Sequence, residues 1–409
     1  MTARTCVVVG GNLAGGRAAE TLRAAGFDGR VVLVGAEPDR PYERPPLSKA
    51  FLHGRQPEEA LYLRPEGWYA EHEIELRLGT RATRLDPAAR TVELDRGGPL
   101  GYDRLLVATG SRMRRLDVLG AGLAGIHLLR TVRDAERLRA ELVPGRRVVV
   151  VGAGFIGTEV AACCRDLGLQ VTMLEAAPLP LPRLGPELGR IWAGYHRDHG
   201  VDLRTGDGVA AFRGAGRVEA VVTTSGRVVA CDLAVVGVGV VPETEWLAGS
   251  GVRLDNGVVV DEHCQTGVPR VFAAGDVAAW WHPRLGTRLR VEHVDNANNQ
   301  AVAATHAMLG RRAPYAPVPF VWSDQWDLHL QVVGLADRYD RVVVRGKVED
   351  RSFVAFYLLG PEVRAAAGVN RLKEVAAARR LVWARLDHPD QLADEDVELR
   401  SLIPKRPPA

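Results

Sequence analysis

The chain has 409 residues, 46% hydrophobic and 25% charged, which is long for one hydrophobic core and too apolar for a disordered chain. Lys+Arg 53 against Asp+Glu 50 leave a formal net charge of +3, too weak a bias to imply a nucleic-acid or anionic-membrane partner. No apolar run approaches the roughly 20 residues needed to span a bilayer, and Cys6, Cys163, Cys164, Cys231 and Cys264 stand in no metal-ligand or redox spacing, so a soluble, cytoplasmic protein is expected. The chain reaches Cys6-Val7-Val8-Val9 without the basic start and long apolar stretch of a signal peptide. A continuous β-branched run of this kind marks a buried parallel strand. Gly10-Gly11-Asn12-Leu13-Ala14-Gly15 then leads into an Ala-rich helix through Leu22, a turn at Gly26 and a second strand, Val31 to Val34, ending at Glu37. A Pro-rich loop over 38–47 follows, then a strand pair around 91–94 and the strand Leu105-Leu106-Val107-Ala108, ending in Thr109-Gly110. The opening pattern now recurs: Arg147-Val148-Val149-Val150-Val151-Gly152-Ala153-Gly154-Phe155-Ile156-Gly157 enters a helix through Leu167, a turn at Gly168 and a strand over 171–174 that ends at Glu175. A buried strand over 233–241, interrupted by Gly237 and Gly239, and the run Val271-Phe272-Ala273-Ala274-Gly275-Asp276 come next. From about Val321 the texture changes to alternating strands over 328–333, 341–344 and 353–358 and an amphipathic helix over 372–384.

Each repeat is a β-α-β unit, so the fold class is α/β, with two Rossmann-like dinucleotide-binding domains and a separate C-terminal α+β domain. The boundaries read as 1–112 with 247–321 for a discontinuous first domain, 113–246 for the second and 322–409 for the third. The second repeat carries the full Gly-x-Gly-x-x-Gly at Gly152, Gly154 and Gly157. The glycines allow a tight turn, close backbone approach to a pyrophosphate and tight helix–strand packing, and the helix amino terminus supplies N–H donors. Glu175, about twenty residues on, is placed to bond ribose hydroxyls and to repel a 2′-phosphate. Alanines follow it rather than arginines, so NADH is favoured over NADPH. In the first repeat Asn12 replaces the second glycine. Asn tolerates φ > 0, which would preserve the turn, and Glu37 repeats the ribose-binding logic. Two dinucleotide sites in one chain imply FAD plus a nicotinamide.

Tyr42-Glu43-Arg44-Pro45-Pro46-Leu47-Ser48-Lys49, Ala108-Thr109-Gly110-Ser111-Arg112, Gly237-Val238-Gly239-Val240-Val241-Pro242, Ala274-Gly275-Asp276 and Trp322-Ser323-Asp324-Gln325 carry a family resemblance over essentially the whole chain. It resembles the NADH-dependent ferredoxin reductases of bacterial cytochrome P450 and aromatic-ring dioxygenase systems, flavoproteins of glutathione-reductase-like fold. The resemblance implies that Lys49 lies near the flavin N5 and pairs with Glu159 on the motif helix. It implies FAD contacts at Gly10, Asn12, Leu13, Ala14, Gly15, Glu37, Arg44, Ala82, Thr109, Gly110, Arg130 and Asp276, the last at a strand end where a turn feeds a helix. Glu292, His293 and Val294 correspond to a Glu-His-Trp segment in many members, with contact expected through the Val294 backbone, and Trp322 either covers the ring or is core. NAD contacts are expected at Gly152, Gly154, Phe155, Ile156, Gly157, Glu159, Glu175, Gly237 and Gly239.

Disulfide reductases of the wider superfamily place cysteines after the first domain's Pro/Tyr loop, and this chain has none there. Cys163 and Cys164, adjacent on a helix, cannot form a relaxed bridge with each other and read as small buried hydrophobes. Hydride from NADH would therefore reach the flavin, and electrons would leave it singly, without a thiol relay. The resemblance implies a [2Fe–2S] ferredoxin as acceptor, with rubredoxin or another small iron–sulfur carrier used by some relatives, and such carriers are commonly acidic. Arg311 and Arg312, with Arg284, Arg288 and Arg290, read either as a basic docking rim or as a solvated surface. Two other readings stay open: a flavin NADH oxidase or small-acceptor reductase, and a redox-regulated binding protein like the apoptosis-inducing factors. The chain is expected to be a monomer or homodimer.

Overall fold

A computed structural model describes residues 4–404. They group into two compact units, one comprising the chain up to Arg44 with Pro57–Arg112 and Val240–Pro317, the other Pro45–Gln56, Met113–Gly239 and the residues from Val318.

In the first unit five parallel strands run in the order Val271–Ala273, Arg104–Val107, Thr5–Val9, Arg30–Val34 and Ile74–Arg77. The valine run lies at the centre because Val7, Val8, Val31 and Val32 have no exposure on either face. Burying such a side chain contributes about 1.5–3 kcal/mol. Helix Leu13–Ala24 packs along Val294–Met308, and both bury small alanines. The strand order reverses between Thr5–Val9 and Arg104–Val107, and at such a switch point open α/β sheets hold ligands, outside the strands' carboxyl ends.

The second unit repeats this arrangement with Asp202–Thr205, Gln170–Glu175, Arg147–Val151, Leu233–Val236 and Ile126–His127, all parallel. The correspondence reaches single bonds. Gly10 N donates to Val34 O and Ala108 N to Val9 O in the first unit; Gly152 N donates to Leu174 O and Gly237 N to Val151 O in the second. The expected strand over 233–241 is two strands, Leu233–Val236 and Val240–Pro242, separated at Gly239, whose φ of 97° an ordinary strand residue does not adopt.

The second unit ends in an antiparallel sheet ordered Phe320–Gln325, Leu328–Gly334, Glu362–Val369, Ser352–Leu359, Arg341–Lys347, with helix Leu372–Leu381 packed on it. Two of these strands were not expected. Glu362–Val369 is rich in alanine, a poor strand former, and forms because burial on both faces outweighs propensity. The helix stops at Leu381 rather than 384 because the Trp383 amide turns back to bond Val363 O at 2.6 Å. Among the described residues no helix is long and apolar enough to cross a membrane.

Candidate functional site

Both glycine turns are sterically obligatory. Gly10 has φ 123° and Gly152 φ 97°, and a Cβ would lie 2.1 Å from Ala108 O at the first and 2.5 Å from Gly237 O at the second. At Gly15 and Gly157 a Cβ would meet the carbonyl oxygens of Gly10 and Gly152 at 1.8 and 1.9 Å. The middle position works differently. Gly154 has φ −76°, and a Cβ there would meet nothing within 4 Å. The open space is room for a ligand at the helix start. Asn12 has φ −110°, ordinary extended backbone, so the expected left-handed Asn12 is corrected: Gly10 makes the turn, and the second position needs only space.

Helices Leu13–Ala24 and Phe155–Asp166 both begin without a side-chain cap and without an acidic residue in the first turn. Helix Val132–Arg139, by contrast, closes its start with a Thr131–Asp134 capping box, to which the Arg130 amide also donates. Uncapped first-turn N–H groups and the positive end of the helix dipole suit a pyrophosphate. The two cradles therefore fit two dinucleotides.

Each cradle is closed by its acid. Asn12 Nδ2 donates to Glu37 Oε1 at 2.9 Å, Arg44 Nη2 to the same oxygen at 2.7 Å, and the buried Tyr42 hydroxyl to Oε2. Burial alone would raise the Glu37 carboxyl, but the Arg44 charge and the Tyr42, Asn12 and Arg44 hydrogen bonds outweigh it and hold it below its ordinary range. Ala153 N and Ala177 N bond Glu175 Oε2 and Oε1 at 2.6 and 2.7 Å. A carboxylate offers about four acceptor sites, so Glu175 keeps two for a ribose diol, whereas Glu37, already accepting three, keeps one.

Around the first cradle, Ala14 and Gly275 approach so closely that a Cβ on Gly275 would stand 3.1 Å from the Ala14 Cβ. Asp276 follows in a turn closed by Ala278 N to Gly275 O, and the next element is strand Ala278–His282, not the expected helix. Asp276 thus caps no helix; its Oδ2 accepts from Ser111 Oγ at 2.9 Å. Gln300, passed over in the sequence, accepts the Gly275 amide at 2.9 Å and fixes this turn from the buried face. Thr109 Oγ1 bonds Glu243 O, and Gly110 takes φ 67°. His293 is the N-cap residue and Val294 the first residue of Val294–Met308, which leaves the Val294 amide among the donors a helix start cannot use internally. Ala82 is buried at the start of strand Ala82–Asp86. Arg290 turns inward to Glu292 at 2.6 Å and Asp276 O at 3.2 Å, while Arg284, Arg311 and Arg312 are exposed. Arg288 is half-buried, so the five arginines are not equally exposed.

In the second unit Lys49 Nζ lies 2.7 Å from Glu159 Oε2, with side-chain exposures of 19% and 3%. Lys49 is one of only four lysines in a chain with 53 Lys+Arg, a compact ammonium where the protein elsewhere uses guanidinium. Ser48 and Ser323 complete the carboxylate's shell, both in segments quoted for the family resemblance but neither assigned a role there. At the motif, Phe155 is half-buried and Ile156 is 41% exposed at the helix start, Gly237 stands opposite Gly152, and Gly239 opens to solvent. Trp322 is half-buried on strand Phe320–Gln325 and stacks on Phe320. All five cysteines are buried and unbridged. Burial pushes Cys6 and Cys163 up to about 12, Cys231 up to about 11, and Cys164 and Cys264 higher still, so none is a ready thiolate.

Two parallel sheets, each opening on a glycine turn and closed by an acid at or just beyond the end of the second strand, define a two-dinucleotide α/β oxidoreductase. The chain belongs to the pyridine nucleotide-disulphide oxidoreductase family, whose model matches residues 4–301, and residues 320–403 match the reductase C-terminal model. The family is FAD-dependent. The chain is similar to rhodocoxin reductase of Rhodococcus erythropolis, 41% identical over 403 residues, 97% of this chain and 94% of that one. It is equally similar to the ferredoxin–NAD(+) reductase component of the anthranilate 1,2-dioxygenase system of Burkholderia cepacia, 41% identical over 407 residues, 98% of this chain and all of that one (100%). Among solved structures it matches the covalent putidaredoxin reductase–putidaredoxin complex with a TM-score of 0.95 and 38% identity, over 98% of each chain.

Proposed function

We propose that the protein is an NADH-dependent ferredoxin reductase that binds FAD and delivers electrons singly to a small acidic [2Fe–2S] ferredoxin serving a cytochrome P450 or Rieske-type oxygenase. The observation that carries this reading is the Lys49–Glu159 pair in a chain whose five thiols are all buried and held protonated. FAD, when bound, accepts an electron pair as hydride and gives electrons up one at a time. The Gly10–Gly15 turn, the uncapped start of Leu13–Ala24, Glu37, Asp276 and the Val294 amide would hold it. The Gly152–Gly157 turn and Glu175 would hold NADH, with Glu175 excluding a 2′-phosphate. Lys49 supplies a fixed positive charge for the negative charge that accumulates on hydride acceptance, and Glu159 keeps that ammonium in place without a mobile counterion.

The ferredoxin reductase names of the similar proteins and the putidaredoxin-bound structure support the choice of partner. The exposed arginines Arg284, Arg311 and Arg312 are chemically suited to an acidic carrier, in a weak and salt-sensitive encounter. The test is reduction of a [2Fe–2S] ferredoxin from the same cell by NADH through the purified flavoprotein. Ferredoxin should bleach at a rate at least about tenfold above NADH oxidation in air without a carrier, since only the docked carrier is a fast single-electron sink. Carrier-free NADH oxidation as fast as the coupled reaction would replace this reading with that of an oxidase.

A further inference from the structure

Glu159, on helix Phe155–Asp166, has both oxygens occupied by donors from distant segments of the second unit. Lys49 Nζ and Ser48 Oγ reach Oε2, and Ser323 Oγ donates to Oε1 at 2.7 Å. Ser323 Oγ itself accepts from Gln325 Nε2 at 3.0 Å. The same amide nitrogen donates to Thr158 Oγ1 at 2.9 Å, whose own hydrogen is directed to the Gly154 and Phe155 carbonyls. On the far side, Gln325 Oε1 meets Trp192 Nε1 at 3.2 Å and His196 Nε2 at 2.9 Å. Ser323, Thr158, Trp192 and His196 have no exposure and Gln325 only 2%, so the whole relay lies away from bulk solvent.

One group sets the direction of every bond in this chain. An indole N–H can only donate, so the Gln325 amide must turn its oxygen to Trp192 and its nitrogen to Ser323 and Thr158. His196 is compatible with this polarity: burial pushes it down to about 4, and the neutral ring facing the amide oxygen takes the tautomer that donates through Nε2. A reversed amide would turn its nitrogen to the Trp192 donor, at the cost of an unmade hydrogen bond in a buried site. Ser323 accepts from the amide and therefore gives its only hydrogen to Glu159. The carboxylate is thus held at Oε1 by Ser323, which accepts from a Gln325 amide whose orientation is fixed by Trp192 on another helix, Gly185–Asp198.

We propose that Ser323 and Gln325 are positioning residues for the Lys49–Glu159 pair, so that strand Phe320–Gln325 of the C-terminal sheet sets where the Lys49 ammonium stands. This rests on the role given to that pair under the proposed function. Two measurements separate the failure of the one from the failure of the other. The first is acetylation of Lys49 in the purified flavoprotein by an N-hydroxysuccinimide ester, read by peptide mass spectrometry against the exposed Lys347 and Lys373. Ser323→Ala should raise the relative labelling rate of Lys49 about tenfold, the size expected when a hydrogen bond to a charged group is lost, and Gln325→Leu, one bond further from the carboxylate, should raise it about threefold. Ser323→Thr, which keeps the hydroxyl, should restore the slow rate. The second is flavin reduction by NADH, which should slow by the same factors in the two variants while KM for NADH stays within about twofold, a loss confined to the reacting step. Trp192→Phe keeps the ring bulk but frees the amide to turn, and should speed labelling even if Gln325→Leu does not fold. Unchanged Lys49 labelling in Ser323→Ala overturns the proposal, whatever the reduction rate. Faster labelling with unchanged reduction leaves the positioning intact and removes the pair from hydride transfer.

Discussion

Replacing Lys49 with methionine should slow reduction of the bound flavin by NADH about 10²-fold, the usual size of losing one preorganised charge at a reacting centre. Methionine keeps the length and much of the apolar stem but removes the ammonium that lies 2.7 Å from Glu159. Two effects then act together. The negative charge arriving with the hydride loses its fixed counter-charge, and a carboxylate only 3% exposed keeps hydroxyl donors but no cation. Lys49→Arg should recover part of the rate, because the charge returns while the planar fork does not match a site built for a compact ammonium. Anaerobic stopped-flow at the flavin absorbance measures the effect. A rate equal to that of the unmodified protein would take Lys49 out of the site.

The second large effect concerns which nicotinamide is used. Glu175→Ala should lower kcat/KM for NADH and raise it for NADPH, collapsing the ratio of the two about 10²-fold, since like charges brought together cost several kcal/mol. The carboxylate is not free to swing away from a 2′-phosphate. Ala153 N and Ala177 N hold one oxygen each, at 2.6 and 2.7 Å, so its charge stays at the strand end beside the glycine turn. Steady-state rates with both coenzymes at matched concentrations give the ratio. An unaltered preference would mean that the ribose lies elsewhere.

How much of this was legible before folding depends on how locally each feature is encoded. The two valine runs and the glycines after them are local, and they produced two matching parallel sheets down to corresponding backbone bonds at Gly10 and Gly152. Acids at strand ends are local too, and both stand beside their glycine turns, Glu37 through the Asn12 side chain and Glu175 through the Ala153 amide. The backbone of Asn12 is not legible in the sequence, because spacing alone does not tell whether a glycine serves for its dihedral or for its missing side chain. The setting of Asp276 is equally hidden, because a strand–turn–strand and a strand–turn–helix look alike over four residues. Strand Glu362–Val369 was hidden by its alanines, whose place in the sheet is decided by neighbours far along the chain. The shell around Glu159 was the least legible part. Ser48 and Ser323 stand 111 and 164 positions from it in sequence, and only the folded chain brings them to it.

Counting electrons in an anaerobic reductive titration tests most directly whether flavin works here without sulfur. With every thiol buried and unbridged, the protein should take up two electrons per flavin and be fully reduced by one equivalent of NADH. Uptake of four electrons per flavin would reveal a redox-active disulfide and contradict direct delivery from flavin to ferredoxin.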